Sequence, residues 1–202
     1  RQGDIVDEII ATIEAERPDL VVLGPRGRSR LAQMLLGSVS RQVIADASTA
    51  TLVARKPLRD EGSLPQSLLL LVDGTRATEA AIDWLTAAGW AEDTQVRLLG
   101  LLGVPPGVEY DEPELLAQVS ASLRDDVAHT LESLAERLVG HGSDVGLDAA
   151  SGHPLEATLQ AAEKLEPDAI VVARHRGRRG QDPFAEKVAR YAKTSVLMTP
   201  ES

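Results

Sequence analysis

A chain of 202 residues with 43% hydrophobic but only 2% aromatic residues has room for one large or two small domains, with a core of Leu, Val, Ile and Ala. Its net charge of −10 opposes non-specific attraction to nucleic acid or to an anionic membrane, because both depend on a basic surface. With no Cys there is no disulfide framework and no thiolate metal site, which fits the cytoplasm; no apolar run reaches the ~18 residues of a membrane span and no signal peptide is read in the opening residues.

In chain order, Ile5, Val6, Ile9, Ile10 and Ile13 recur at helical spacing, and Pro18 stops that helix. A short strand is predicted at Leu20 to Leu23. It runs directly into Gly24-Pro25-Arg26-Gly27, and Gly37-Ser38 follows with nine residues between Gly27 and Gly37. A strand, a glycine loop and a helix N-terminus are the parts from which an α/β protein builds a phosphate site. Ser38 to Ala47 then reads as a helix and Thr51 to Ala54 as a strand. Arg55 to Gln66, with two Pro, a Gly and mixed charge, reads as a linker.

The second segment opens on the strand Leu68 to Val72, ending at Asp73-Gly74, with Thr75 or Thr78 to cap a helix through Trp84. Gln95 to Leu102 is a strand, and Leu116, Leu123, Val127, Leu134 and Leu138 line one face of a long helix. Val145 to Ala149 is a short strand. A helix through Leu159, a strand at Ala169 to Val172, an arginine-rich loop, a helix from Phe184 to Ala192 and a strand at Ser195 to Met198 follow. The expected fold class is α/β: a doubly wound, parallel five-stranded sheet over residues 67–202 as one complete unit, preceded by the C-terminal half of another over residues 1–56, with 57–66 as linker.

The two segments align through Pro18-Asp19 with Pro167-Asp168 and through Thr49 to Val53 with Thr194 to Met198, the second copy being shorter inside the glycine loop. Gly24 meets Ala173, or Arg174 after a shift of one, and Asp182-Pro183 stands where Gly37-Ser38 stood. Glycine lets backbone N–H groups approach a phosphate, whereas an Asp repels the same anion and a Pro removes a donor. The first copy therefore carries the competent loop.

Gly24-x2-Gly27-x9-Gly37-Ser38, the run Asp19-Leu20-Val21-Val22-Leu23 before it, and Asp73 at the end of the first strand of the second unit together resemble the universal stress protein family in a tandem arrangement. The resemblance covers essentially the whole chain and implies an adenine-nucleotide alpha hydrolase-like fold. It implies ATP as the ligand, with Gly24, Gly27, Gly37, Ser38 and Ser40 on the phosphate side, and Asp73 as the adenine-side acid of the other unit. Neither unit holds both halves of that motif. The first segment lacks its opening strand and the sequence starts at Arg1, so a half-unit is expected to precede it, and either those residues or another chain are expected to cover the edge Leu20 to Leu23.

Plainer roles are open to the same residues. Gly24 and Gly27 suit a turn with positive φ, Ser38 a helix cap, and Asp73 a strand-ending turn. Arg26, Arg28, Arg30, Arg174, Arg176, Arg178 and Arg179 suit a solvated loop better than a phosphate clamp. His129, His141, His153 and His175 lack ligand spacing, Asp125 and Asp126 diverge on one helix, and no P-loop, dinucleotide fingerprint, zincin or nucleophile-elbow motif occurs. The expected function is non-catalytic nucleotide binding in a stress response, with no metal. The alternatives are an interaction scaffold, a pseudo-dimer that has lost its nucleotide, and, more weakly, a slow ATPase. The resemblance also implies pairing of final strands, Leu52-Val53 with Val196-Leu197, as an intramolecular pseudo-dimer or a homodimer.

Overall fold

The run Leu68 to Val72 is apolar at every position, as a strand buried on both faces requires, and it forms the heart of the sheet. The computed structural model describes residues 5–24, 36–55, 65–73, 75–102, 113–174 and 183–200, without the side chains of residues 102, 113–124 and 183. In chain order the elements are α1 (Ile5–Glu16), β1 (Leu20–Leu23), α2 (Ser38–Asp46), β2 (Ala50–Val53), β3 (Ser67–Val72), α3 (Arg76–Ala87), β4 (Gln95–Leu102), α4 (Pro113–Val139), β5 (Asp144–Ser151), α5 (Pro154–Leu165), β6 (Ala169–Ala173), α6 (Pro183–Tyr191) and β7 (Ser195–Thr199). This is the expected order. β5 runs two residues beyond Ala149 because Ala150 and Ser151 go on pairing with Leu101 and Leu102 of β4.

The strands form one seven-stranded sheet in the order β1-β2-β7-β6-β3-β4-β5. Neighbours are parallel except at one seam, where Thr51, Leu52 and Val53 of β2 lie antiparallel to Met198, Leu197 and Val196 of β7. The parallel five-stranded unit is thus β7-β6-β3-β4-β5, and β1 and β2 extend its sheet instead of forming one of their own. The pairing expected of the final strands occurs within the chain.

Helices cover both faces. Leu68, Leu70 and Val72 point toward α3 and α4, packing with Ala81, Leu85, Leu131, Leu134 and Leu138. Leu69 and Leu71 point the other way, into a layer with Ala185, Val188 and Ala189 of α6 and with Leu155 and Leu159 of α5. A third cluster joins Val6 and Ile13 of α1 to Val43 of α2, with Val21 and Leu23 of β1 packed against it. Close approach of α4 to β4 depends on Gly100, where a Cβ would lie in steric overlap with Val127 and 3.2 Å from Leu131.

Several features of the N-terminal segment recur in the C-terminal one. α1 and α5 each have 12 residues and α2 and α6 each have 9. Arg17 (φ 47°) and Glu166 (φ 48°), at the ends of α1 and α5, both turn left-handed. Thr49 Oγ1 donates to Pro18 O at 2.6 Å, and Thr194 Oγ1 donates to Pro167 O at 2.8 Å. The registers Leu20 with Ala50 and Ala169 with Ser195 make Gly24 the counterpart of Ala173 and Pro25 that of Arg174. With the helices matched in length, the four extra residues of the first copy fall between β1 and α2.

The repeat breaks at the outer side of β1. β6 is flanked by β3, and Asp168 Oδ2 accepts hydrogen bonds from Gln66 N and Ser67 N, both at 3.0 Å, tying the starts of the two strands together. Among the described residues β1 pairs with β2 alone, Val22 is 57% exposed, and Asp19, the counterpart of Asp168, is exposed. Asp168→Ala, which removes the acceptor of two backbone amides, should therefore cost about 2 kcal/mol in urea unfolding, whereas Asp19→Ala should be close to neutral. Gly100→Leu should lower stability by roughly 1–3 kcal/mol by forcing α4 off β4, a loss visible as a drop in the melting midpoint.

Candidate functional site

β1 ends at Leu23, and Gly24 follows at the C-terminal rim of the strand, exposed. Its φ is not left-handed, and among the described residues nothing lies within 4 Å of the position a Cβ would take. A positive-φ turn therefore does not account for the glycine at this position. Gly27 lies outside the described residues.

The chain re-enters the same rim at the start of α2. Gly37, not Ser38, is the N-cap: it is buried, extended at φ −67° and ψ 160°, and makes no side-chain capping hydrogen bond. Ser38 is the first helical residue and is exposed, while Ser40 is half-buried. Arg41 N donates the first helical bond, to Gly37 O at 3.0 Å, so the N–H groups of Ser38, Val39 and Ser40 precede the helical ladder. The first turn holds no acidic residue to oppose an anion. The helix dipole, the amides ahead of the first helical bond and the Ser38 hydroxyl together form a donor-rich edge on the same rim as Gly24.

Asp73 lies elsewhere. It follows β3 at the C-terminal end of that strand, and its Oδ1 accepts hydrogen bonds from Thr75 N (3.0 Å), Thr75 Oγ1 (2.7 Å) and Thr78 Oγ1 (2.8 Å). Thr75 occupies the N-cap position of α3 without a side-chain capping bond, because its hydroxyl is turned to Asp73. β1 and β3 are four strand positions apart, roughly 19 Å laterally. The antiparallel seam also reverses β1 relative to β3, so Gly24 and Asp73 lie on opposite rims of the sheet. The structure does not bring these two halves of the motif together.

Arg174 is neither a phosphate clamp nor part of a solvated loop. It is only 7% exposed, and its guanidinium donates to Ala47 O at the end of α2 and, at 3.4 Å, to Thr51 Oγ1 of β2. Arg55, read as the first linker residue, crosses the seam in the opposite direction. Its backbone N donates to Ser195 Oγ at 3.1 Å, and its Nη2 donates to Ala189 O at 2.6 Å and Arg190 O at 3.4 Å. Burial holds the Arg55 pKa below its usual value. The sequence signal for both residues was available but slight: each is an arginine set just after a buried strand. Arg26, Arg28, Arg30, Arg176, Arg178 and Arg179 lie outside the described residues.

His129 lies 3.9 Å from Glu132 on the exposed side of α4, Asp125 and Asp126 are both exposed, His141 is in the turn after α4, and His153 caps α5 by position. His175 lies outside the described residues. Among the described residues no three His, Asp or Glu side chains are grouped to hold a metal, and no helix is long and apolar enough to cross a membrane.

Comparison with known proteins gives this geometry its context. The sequence matches the universal stress protein family over residues 1–55 and 66–200. A universal stress protein of Methanocaldococcus jannaschii is 37% identical over 59 residues, 29% of this chain and 35% of that protein. Among solved structures, a universal stress protein from Archaeoglobus fulgidus superposes with TM-score 0.65 at 20% identity, covering 99% of this chain and 66% of that one. A putative universal stress protein from Pseudomonas aeruginosa superposes with TM-score 0.71 at 16% identity, covering 98% and 69%. The chain thus spans about two thirds of those structures, and they carry the fold comparison alone. By the match along both of its segments, the chain belongs to the universal stress protein family.

Proposed function

We propose that this protein binds ATP without turning it over efficiently, in the service of a stress response, and that the phosphates lie on the N-terminal segment. Gly24, Gly37, Ser38 and Ser40 would line the phosphate side, together with Gly27. The observation that carries the reading is Gly24: neither left-handed φ nor packing among the described residues requires a glycine there, while a phosphate approaching the strand end does. The start of α2 on the same rim, whose first amides precede the helical ladder, would supply the donors. Asp73 is better explained as the anchor of the Thr75–Thr78 turn than as an adenine contact of this site. In the C-terminal segment Arg174 occupies the position of the loop and is bonded across the seam, which favours a supporting, scaffold-like role for that half.

Gly24→Val tests the reading cleanly, because among the described residues nothing lies within 4 Å of the added Cβ and the glycine's φ is not left-handed. Without ATP its melting midpoint should match the wild type. With ATP at 100-fold over its dissociation constant the wild-type chain should gain about 2.7 kcal/mol of stability, and the variant should gain little. An equal rise in both would remove the phosphates from Gly24. No rise in the wild type at millimolar ATP would favour the scaffold.

A further inference from the structure

α2 presents its N-terminus to the proposed phosphate site and ends, nine residues later, at the seam. Its last turn contains no basic residue, so the negative end of the helix is not neutralised by its own segment. The positive charge comes from the other segment: the buried Arg174 guanidinium donates to Ala47 O, and its second nitrogen reaches Thr51 Oγ1 on β2. Arg174 is itself fixed, since it directly follows β6 and its backbone N donates to Thr199 O of β7 at 3.3 Å. The reciprocal arm is Arg55, which leaves β2 and bonds the last carbonyls of α6, Ala189 O and Arg190 O.

Both arms cross the seam to carbonyls at a helix end, but they leave different strands, β6 and β2, and differ in what they hold. α6 is the counterpart of α2 in the copy where Ala173 and Arg174 replace Gly24 and Pro25, and its first residue, Pro183, has no N–H to offer an anion. α2 begins with amides ahead of the first helical bond. A helix of this length, about 13 Å, is short and stiff, and fixing its C-terminus fixes the direction in which its N-terminal amides point. Val43 and Ile44, both buried, hold its flank, and Arg174 supplies charge to its end from across the seam.

We propose that Arg174 is a positioning residue for the phosphate-binding end of α2, so that the C-terminal segment, having lost its own glycine loop, uses that position to hold the site of the N-terminal segment. The proposal rests on the ATP reading above, and its test separates the two. ATP binding to the full 202-residue chain is titrated calorimetrically in the cold, and hydrogen exchange is followed in α2 and α6 without nucleotide.

Arg174→Met should weaken ATP binding at least fivefold and speed exchange of the Arg41 to Ala47 amides, with Arg174→Lys recovering part of both. Arg55→Met cuts the other cross-seam arm. It should speed exchange in α6 and leave ATP binding within twofold of the wild type, a split that a general loss of stability would not give. Binding by Arg174→Met within twofold of the wild type would overturn the proposal. If the wild-type chain binds no ATP, the functional reading fails and the site role of Arg174 fails with it; unchanged α2 exchange in Arg174→Met would overturn even its hold on the helix. Should Arg174→Met fail to fold, Arg174→Lys and Thr51→Val carry the same comparison, with smaller losses expected.

Discussion

The antiparallel pairing of β2 with β7 is the constraint on which the rest of this structure depends. Two short strands, Ala50–Val53 and Ser195–Thr199, are buried at every position, which is possible only because each covers the edge of the other. Left apart, each would expose a row of unpaired amides and carbonyls on an apolar edge, an aggregation hazard. Joined, they make one sheet of seven strands, bring α2 beside α6, and place Leu52 and Leu197 in a core shared with α3 and α4.

The seam also decides the chemistry. It reverses β1 relative to β3, which puts the glycine end of the N-terminal segment on one rim and Asp73 on the other. The two halves of the motif, which the sequence already assigns to different segments, are therefore also two separate places in space. One is a donor-rich helix start suited to an anion. The other is a carboxylate already engaged with three donors of a turn. Charge at the seam is handled by burial with partners: Arg55 and Arg174 meet helix-end carbonyls, whose partial negative charge offsets part of the cost of removing a guanidinium from water.

Much of the fold was legible because it rests on local rules. Leu20–Leu23 and Leu68–Val72 are too short and too uniformly apolar to be anything but strands, the second buried throughout and the first half-buried with Val22 exposed, and Pro18-Asp19 with Pro167-Asp168 marks the same turn twice, closed each time by a threonine hydroxyl. The site was legible only in part. Gly24 and Gly37 could be picked by spacing, but which residue caps α2 depends on backbone angles that place Gly37, and not Ser38, outside the helix. Arg174 and Arg55 carried only a slight signal as seam residues, because their partners lie 127 and 134 residues away and a charged residue after a strand looks like any loop. That Gly24 and Asp73 fall on opposite rims follows from strand direction, which sequence periodicity does not carry.

The central claim is that β2 and β7 pair within one chain in the register Leu52 opposite Leu197. Since the protein has no cysteine, Leu52→Cys with Leu197→Cys installs a single reporter pair. Mild oxidation of dilute protein followed by non-reducing mass spectrometry should give a disulfide within the monomer. A second double variant, Leu52→Cys with Ser195→Cys, sets the same cysteine against a position two residues out of register and should cross-link far more slowly. Covalent dimers as the main product, or equal cross-linking of the two pairs, would contradict the account.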